Sequence, residues 1–196
     1  MQLFRISLLA MFISLPGLIF AQKTEDRVSM SLTGSTFLIK NVEAGKYLDI
    51  PGYGNKADRS NGAKVQLWDL DNGKDRRVRF VPAGNGYYYI RFQHVNANLD
   101  IHGCYKDKLF CGTYKTDNGA QAQIWSAGSS KPQQWEIKRV GHGEYKFVNR
   151  YSGKVLDASA SQIHKNGCKV QQWEWHGGNN QRWILIDDES GSRFNK

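Results

Sequence analysis

Five side chains near the C-terminal end of the sequence have types and spacing that suit one kind of chemistry. The segment VQQWEWHGGNNQRW (170–183) holds Gln171, Trp173, Asn180 and Gln181, and Asp157 ends the triplet VLD shortly before it. A carboxylate and neutral amides can exchange hydrogen bonds with vicinal hydroxyls, and a flat indole can stack on the C–H face of a pyranose. No nucleophile–base pair accompanies them. The set suits recognition of a polyhydroxylated ligand rather than its conversion.

The elements that position these groups come from a repeat. The pattern Asn-Gly-x-x-x-Gln-x-Trp occurs as NGAKVQLW (61–68), NGAQAQIW (118–125) and NGCKVQQW (166–173). Upstream stand YLD, NLD and VLD, ending at Asp49, Asp100 and Asp157, each preceded at twelve residues by an aromatic: Phe37, Tyr88 or Tyr145. From Asp to Asn the spacing is 12, 18 and 9 residues, so length varies at one place, as expected of a surface loop. The segments are short, rich in Val, Ile, Tyr and Phe, and separated by Gly/Asn/Asp/Ser turns, which predicts an all-β chain. Asn-Gly predicts a type I′ hairpin turn. Three such units point to a closed structure with pseudo-threefold symmetry.

Strand alternation then sorts the tryptophans. Val65 and Leu67 share one face and Gln66 and Trp68 the other; Ala122 and Ile124 oppose Gln123 and Trp125 in the same way. With the aliphatic face inward, Gln and Trp are carried to the far side. The third repeat departs at Gln172, which takes an aliphatic position. Trp135 and Trp183 open apolar strands and read as core, with Val78 in the same place in the first repeat.

The chain has 196 residues and a formal charge of +9, with one basic cluster, KDRRVR (74–79). Arg5 followed by the apolar run ISLLAMFISLPGLIF predicts a signal peptide over 1–21 and export to the periplasm or medium, without a transmembrane anchor. Removing Arg5 takes the charge from +9 to +8. Export permits disulfides, and Cys104 and Cys111 lie in one loop and could pair. Cys168 stands where the other repeats have Ala63 and Ala120, so it reads as a buried, unpaired thiol. Residues 22–34 and 189–196 show no apolar pattern and read as flexible ends.

The three repeats and five Gln-x-Trp triplets resemble the ricin B-type lectin family over roughly 35–188. The resemblance implies a β-trefoil in a single domain, with repeats at 35–86, 87–142 and 143–188, and a non-catalytic carbohydrate-binding function with galactose-type sugars or a polysaccharide as partner. It also implies a shallow sugar site in each repeat. The third has the whole set: Asp157, Gln171, Trp173, Asn180 and Gln181. The second keeps Asp100, Gln123, Trp125 and Gln133, but Pro132 replaces the Asn. The first keeps Asp49, Gln66 and Trp68, with Asp75 and Arg76 in place of the Asn-Gln pair.

Two other readings use the same fold: a basic trefoil binding sulfated glycans or another polyanion, and a protein-binding or inhibitory trefoil acting through the long second-repeat loop. An enzyme is not expected. The five histidines show no metal-ligand spacing, no phosphate loop is present, and the three aspartates read as parallel sites rather than an acid/base pair. No cofactor, metal or nucleic-acid partner is expected.

Overall fold

The structure is a computed structural model that describes residues 32–52, 59–102 and 116–195. Four strands come from each repeat. The first supplies β1 (Phe37–Asn41), β2 (Tyr47–Asp49), β3 (Gln66–Trp68) and β4 (Val78–Gly84). The second supplies β5 (Tyr87–Phe92), β6 (Ala97–Ile101), β7 (Ala122–Ser126) and β8 (Gln134–Gly141). The third supplies β9 (Glu144–Asn149), β10 (Val155–Ala158), β11 (Cys168–Trp173) and β12 (Trp183–Asp187).

The outer strands of the repeats close a ring. Antiparallel pairings run β1–β4, β4–β5, β5–β8, β8–β9, β9–β12 and back from β12 to β1. A sheet closed on itself leaves no edge to pair with another chain. The inner strands form three hairpins, β2–β3, β6–β7 and β10–β11. This is a β-trefoil, as the resemblance implies, with the closed pseudo-threefold arrangement that the repeat predicts. Among the described residues, no helix is long and apolar enough to cross a membrane.

Alternation fills the middle. Phe37, Ile39, Ile90, Phe92, Tyr145 and Phe147 point inward from the first strand of each repeat and are buried. Phe80 links them, with its ring centroid 5.5 Å from Phe37 and 6.3 Å from Phe147. Trp135 and Trp183 are wholly buried, as expected, and Val78 takes the equivalent place. Their indoles do more than fill space. Trp183 Nε1 donates to Leu156 O and Trp135 Nε1 to Leu99 O, both at 3.1 Å. These carbonyls belong to the residues just before Asp157 and Asp100, so each core tryptophan anchors the strand that carries a site carboxylate. Trp183→Ala is expected to destabilise the protein by about 3–5 kcal/mol, measured as a lower urea midpoint. A loss under about 1 kcal/mol would contradict its place in the core.

Two expectations change. Leu32 is buried against the core, and Phe194 packs on Phe37 (5.5 Å between centroids) while its N–H donates to Leu185 O at 2.8 Å. The described parts of the two ends are therefore docked, because each carries one apolar residue that the barrel covers. The Asn-Gly pairs of the threefold pattern do not form type I′ turns: Gly62, Gly119 and Gly167 have positive φ, but Asn61, Asn118 and Asn166 do not. With Ala63 N donating to Ser60 O and Cys168 N to Lys165 O, the arrangement is that of a type II turn, which needs positive φ only at the glycine. The turn with two positive φ values, Asn85 (54°) and Gly86 (78°), joins β4 to β5. Gln172, in its aliphatic slot, is fully buried but satisfied: Ser152 Oγ donates to its Oε1 and its Nε2 donates to Asp117 O.

Among the described residues Cys168 is buried and unpaired, in line with its alanine counterparts. The 1–21 segment and the Cys104–Cys111 pair lie outside the described residues.

Candidate functional site

The third repeat brings its five predicted residues together. Asp157 sits on β10 directly opposite Gln171 on β11. Gln171 Nε2 donates to one carboxylate oxygen at 2.9 Å, while Asn180 Nδ2 (2.9 Å) and Gln181 Nε2 (3.1 Å) donate to the other. Trp173, two residues beyond Gln171, is 38% exposed. Gln181 is fully buried and committed: its Nε2 also donates to Glu174 O and its Oε1 accepts from His176 N. Its work is to hold Asp157 and the 174–176 segment. Asn180 folds back so closely that a Cβ at Gly178 would lie 2.6 Å from its Oδ1, and Gly73 stands in the same relation to Asp75. A glycine two residues before the Asn or Asp leaves room for that side chain.

The second repeat is a reduced version. Gln123 Nε2 donates to Asp100 at 2.9 Å, and His102 Nδ1 lies 3.1 Å from Gln123 Oε1. Pro132 brings no side-chain donor. Gln133 is buried, its Oε1 accepting from Asn98 Nδ2 and its Nε2 donating to Ser126 O. Trp125 is half-buried.

The first repeat is closed by charge. Gln66 Nε2 donates to Asp49 at 2.9 Å, but the place of Gln181 is taken by Arg76, which is 1% exposed. Its guanidinium reaches Asp49 (3.2 Å), Asp71 (2.8 Å) and Asp75 (3.7 Å). Trp68 is 37% exposed, and the carboxylate of its repeat is already held by a cation.

Sequence reasoning missed how the repeats clasp one another. Asn61 Oδ1 accepts from Ser126 N, Asn118 Oδ1 from Glu174 N, and Asn166 Oδ1 from Asp69 N. Each acceptor fixes the residue just after the outward tryptophan of a neighbouring repeat. The glycine that follows each Asn donates its N–H to the residue just before that tryptophan: Gly62 to Ile124 O, Gly119 to Gln172 O, Gly167 to Leu67 O. The signal lay in the invariance of Asn-Gly across repeats whose neighbouring loops differ in length.

The family model described as ricin-type beta-trefoil lectin domain-like matches residues 27–108 and 111–173. The chain belongs to this family. Carbohydrate binding is thereby placed at the level of the family. Among solved structures, this lectin-like chain is similar to a designed threefold-symmetric protein, ThreeFoil, at 31% identity and a TM-score of 0.67. That match covers 78% of this chain and 98% of the other. It is also similar to an exo-β-1,3-galactanase of Clostridium thermocellum (25% identity, TM-score 0.67), covering 79% of this chain but only 30% of the enzyme. A Macrolepiota procera ricin B-like lectin, solved with lactose, shares the fold at 22% identity and a TM-score of 0.60, over 78% of this chain and 95% of that one. No curated protein matches at a significant level.

Burial governs the electrostatics of this lectin-type domain. Desolvation raises the Asp100 carboxyl from an ordinary 3.8 to about 6, against the lowering effect of Gln123 and Gln133. Asp49 also rises to about 6, first by desolvation and further by the Asp75 charge, against Gln66 and Arg76. Asp157 is raised by desolvation as well, opposed by its three amides and by His176, whose Nε2 lies 3.9 Å away. Between 3.8 and about 6 the folded protein holds protons that the unfolded chain has released. The stability these groups contribute is present below 3.8 and lost as pH rises through about 6. Asp100→Asn is therefore expected to flatten the fall in melting temperature across that window. An identical slope in wild type and variant would count against a raised Asp100.

Half of the basic cluster of this lectin-like domain is occupied. Arg76 is buried among carboxylates, and Arg77 Nε pairs with Asp188 at 2.6 Å, which leaves Lys74 and Arg79 as its exposed members.

Proposed function

We propose that this chain is an exported, non-catalytic carbohydrate-binding protein whose best-formed site is the third repeat, taking a galactose-type sugar. The observation that carries the reading is the Asp157 carboxylate held by three neutral amides beside the exposed ring of Trp173. The amides fix the carboxylate without neutralising it. A carboxylate offers about four acceptor positions, so capacity remains for a sugar hydroxyl after three donors are met.

A single shallow site of this kind binds a monosaccharide weakly, on the order of millimolar, about −4 kcal/mol. The second repeat is a lesser site that lacks the Asn donor. The first repeat does not contribute, because a guanidinium already occupies its carboxylate. The polyanion reading is less well supported, since half of the 74–79 cluster is paired internally. The three aspartates lie in separate repeats, which supports parallel sites over an acid/base pair across one cleft.

A glycan array at physiological salt tests the reading. Selective binding to neutral, galactose-terminated glycans is the expected result. Binding confined to sulfated glycans, collapsing with added salt, would replace it with the polyanion reading.

A further inference from the structure

The fold leaves one position beside the third site free to vary. Two residues after the outward tryptophan come Leu70 in the first repeat, Ala127 in the second and Trp175 in the third. All three are exposed, so the core does not dictate the residue. The largest apolar side chain nevertheless stands at the repeat that carries the complete residue set, with Trp175 37% exposed.

Trp175 is also held in place. Glu174 N donates to Asn118 Oδ1 and Glu174 O accepts from Gln181 Nε2 on one side of it, and His176 N donates to Gln181 Oε1 on the other. Lys146 on β9 places its Nζ 4.4 Å from the ring centroid, a cation–π contact that fixes the indole against the barrel wall. Among the described residues, Lys146 makes no ion pair, whereas Lys138, opposite it on β8, pairs with Glu136. A rigid exposed aromatic loses little conformational freedom when a ligand stacks on it.

We propose that Trp175, backed by Lys146, is a second stacking platform, so that the third repeat takes a glycan of at least two linked residues. The terminal sugar sits at Asp157 and Trp173, and the next pyranose lies on Trp175. This rests on the reading of Asp157 as a sugar site. It adds specificity for chain length, which a single shallow pocket does not supply.

Calorimetric titration of galactose, lactose and a galactose-terminated trisaccharide into wild type, Trp175→Leu and Trp175→Ala tests it. Leu and Ala are what the other repeats carry, so both variants are expected to fold, and their melting curves check this. Wild type is expected to bind the disaccharide or trisaccharide roughly tenfold more tightly than galactose, about the weight of one aromatic stacking contact. The variants are expected to lose that gain while binding galactose as before. No gain from added residues in wild type, or equal weakening of galactose and the longer sugars in the variants, would overturn the platform. Failure of wild type to bind any of the three sugars removes the Asp157 reading itself, and the platform with it.

Discussion

Asp157→Asn is expected to abolish measurable sugar binding while leaving a folded protein, and Asp157→Ala to abolish binding and cost stability as well. The carboxylate is the common acceptor for Gln171, Asn180 and Gln181. Alanine takes one acceptor from each of three buried amides, although Asn180 and Gln181 keep a second one in Ala158 O and Glu174 O, and each lost partner costs about 1–3 kcal/mol. Relief of the desolvated carboxylate offsets part of this, so a net loss of about 2–4 kcal/mol is expected. Asparagine keeps the shape and one acceptor oxygen but turns an N–H₂ toward groups that donate. The two variants separate scaffold from ligand contact. Calorimetry with galactose and denaturant melts read both. Sugar affinity within about threefold of wild type in a folded Asp157→Asn would remove this carboxylate from ligand contact.

The second large effect concerns the first repeat. Arg76→Met is expected to destabilise the protein by about 3–5 kcal/mol, because it strands buried carboxylates without their cation. Asp49 and Asp75 are nearly inaccessible beside Arg76, and both are already raised by desolvation. The cluster is imperfectly satisfied even in the native chain, with Asp75 Oδ1 and Arg76 Nε buried and without a hydrogen bond. The double variant Asp75→Asn/Arg76→Gln recreates the neutral pair of the third repeat. It is expected to recover most of the lost stability, since an amide at position 76 can donate to Asp49 as Gln181 donates to Asp157. It should also raise the sugar stoichiometry by one site. A double variant as unstable as Arg76→Met would show that the cluster depends on charge, not on donor geometry.

These effects explain why three near-copies of one motif differ. Each repeat keeps the same strand pair and the same Gln-to-Asp hydrogen bond (2.9 Å in all three). What changes is the residue pair that faces the carboxylate: Asp75 and Arg76, Pro132 and Gln133, or Asn180 and Gln181. That one substitution sets the charge around the carboxylate.

Much of this could be read from residues alone because it depends on local periodicity. Alternation along VQLW puts Val65 and Leu67 inward and Trp68 outward whatever surrounds the strand, and the structure agrees. The burial of Trp135 and Trp183 followed from the apolar strands they open. The repeat and its closed pseudo-threefold arrangement were legible because a pattern recurs three times, the trefoil came with the family resemblance, and the pairing of Asp157 with Gln171 emerged only in the structure.

Only the tertiary structure decided which groups meet from distant parts of the chain. The clasp of Asn118 on Glu174 spans 56 residues, and no spacing rule connects them. Gln121 Nε2 donates to Val65 O and Val170 O, joining three repeats at once, though its neighbours in sequence give no hint of it. Gln181 looked like a ligand contact by residue type but proved fully buried, because its amide has two protein acceptors and one donor within reach. The docking of Phe194 and the seating of Lys146 on Trp175 are of the same kind. Sequence periodicity reports which face a side chain occupies, since backbone geometry determines that residue by residue. Partnership across repeats depends on chain closure, and it exists only once the barrel has formed.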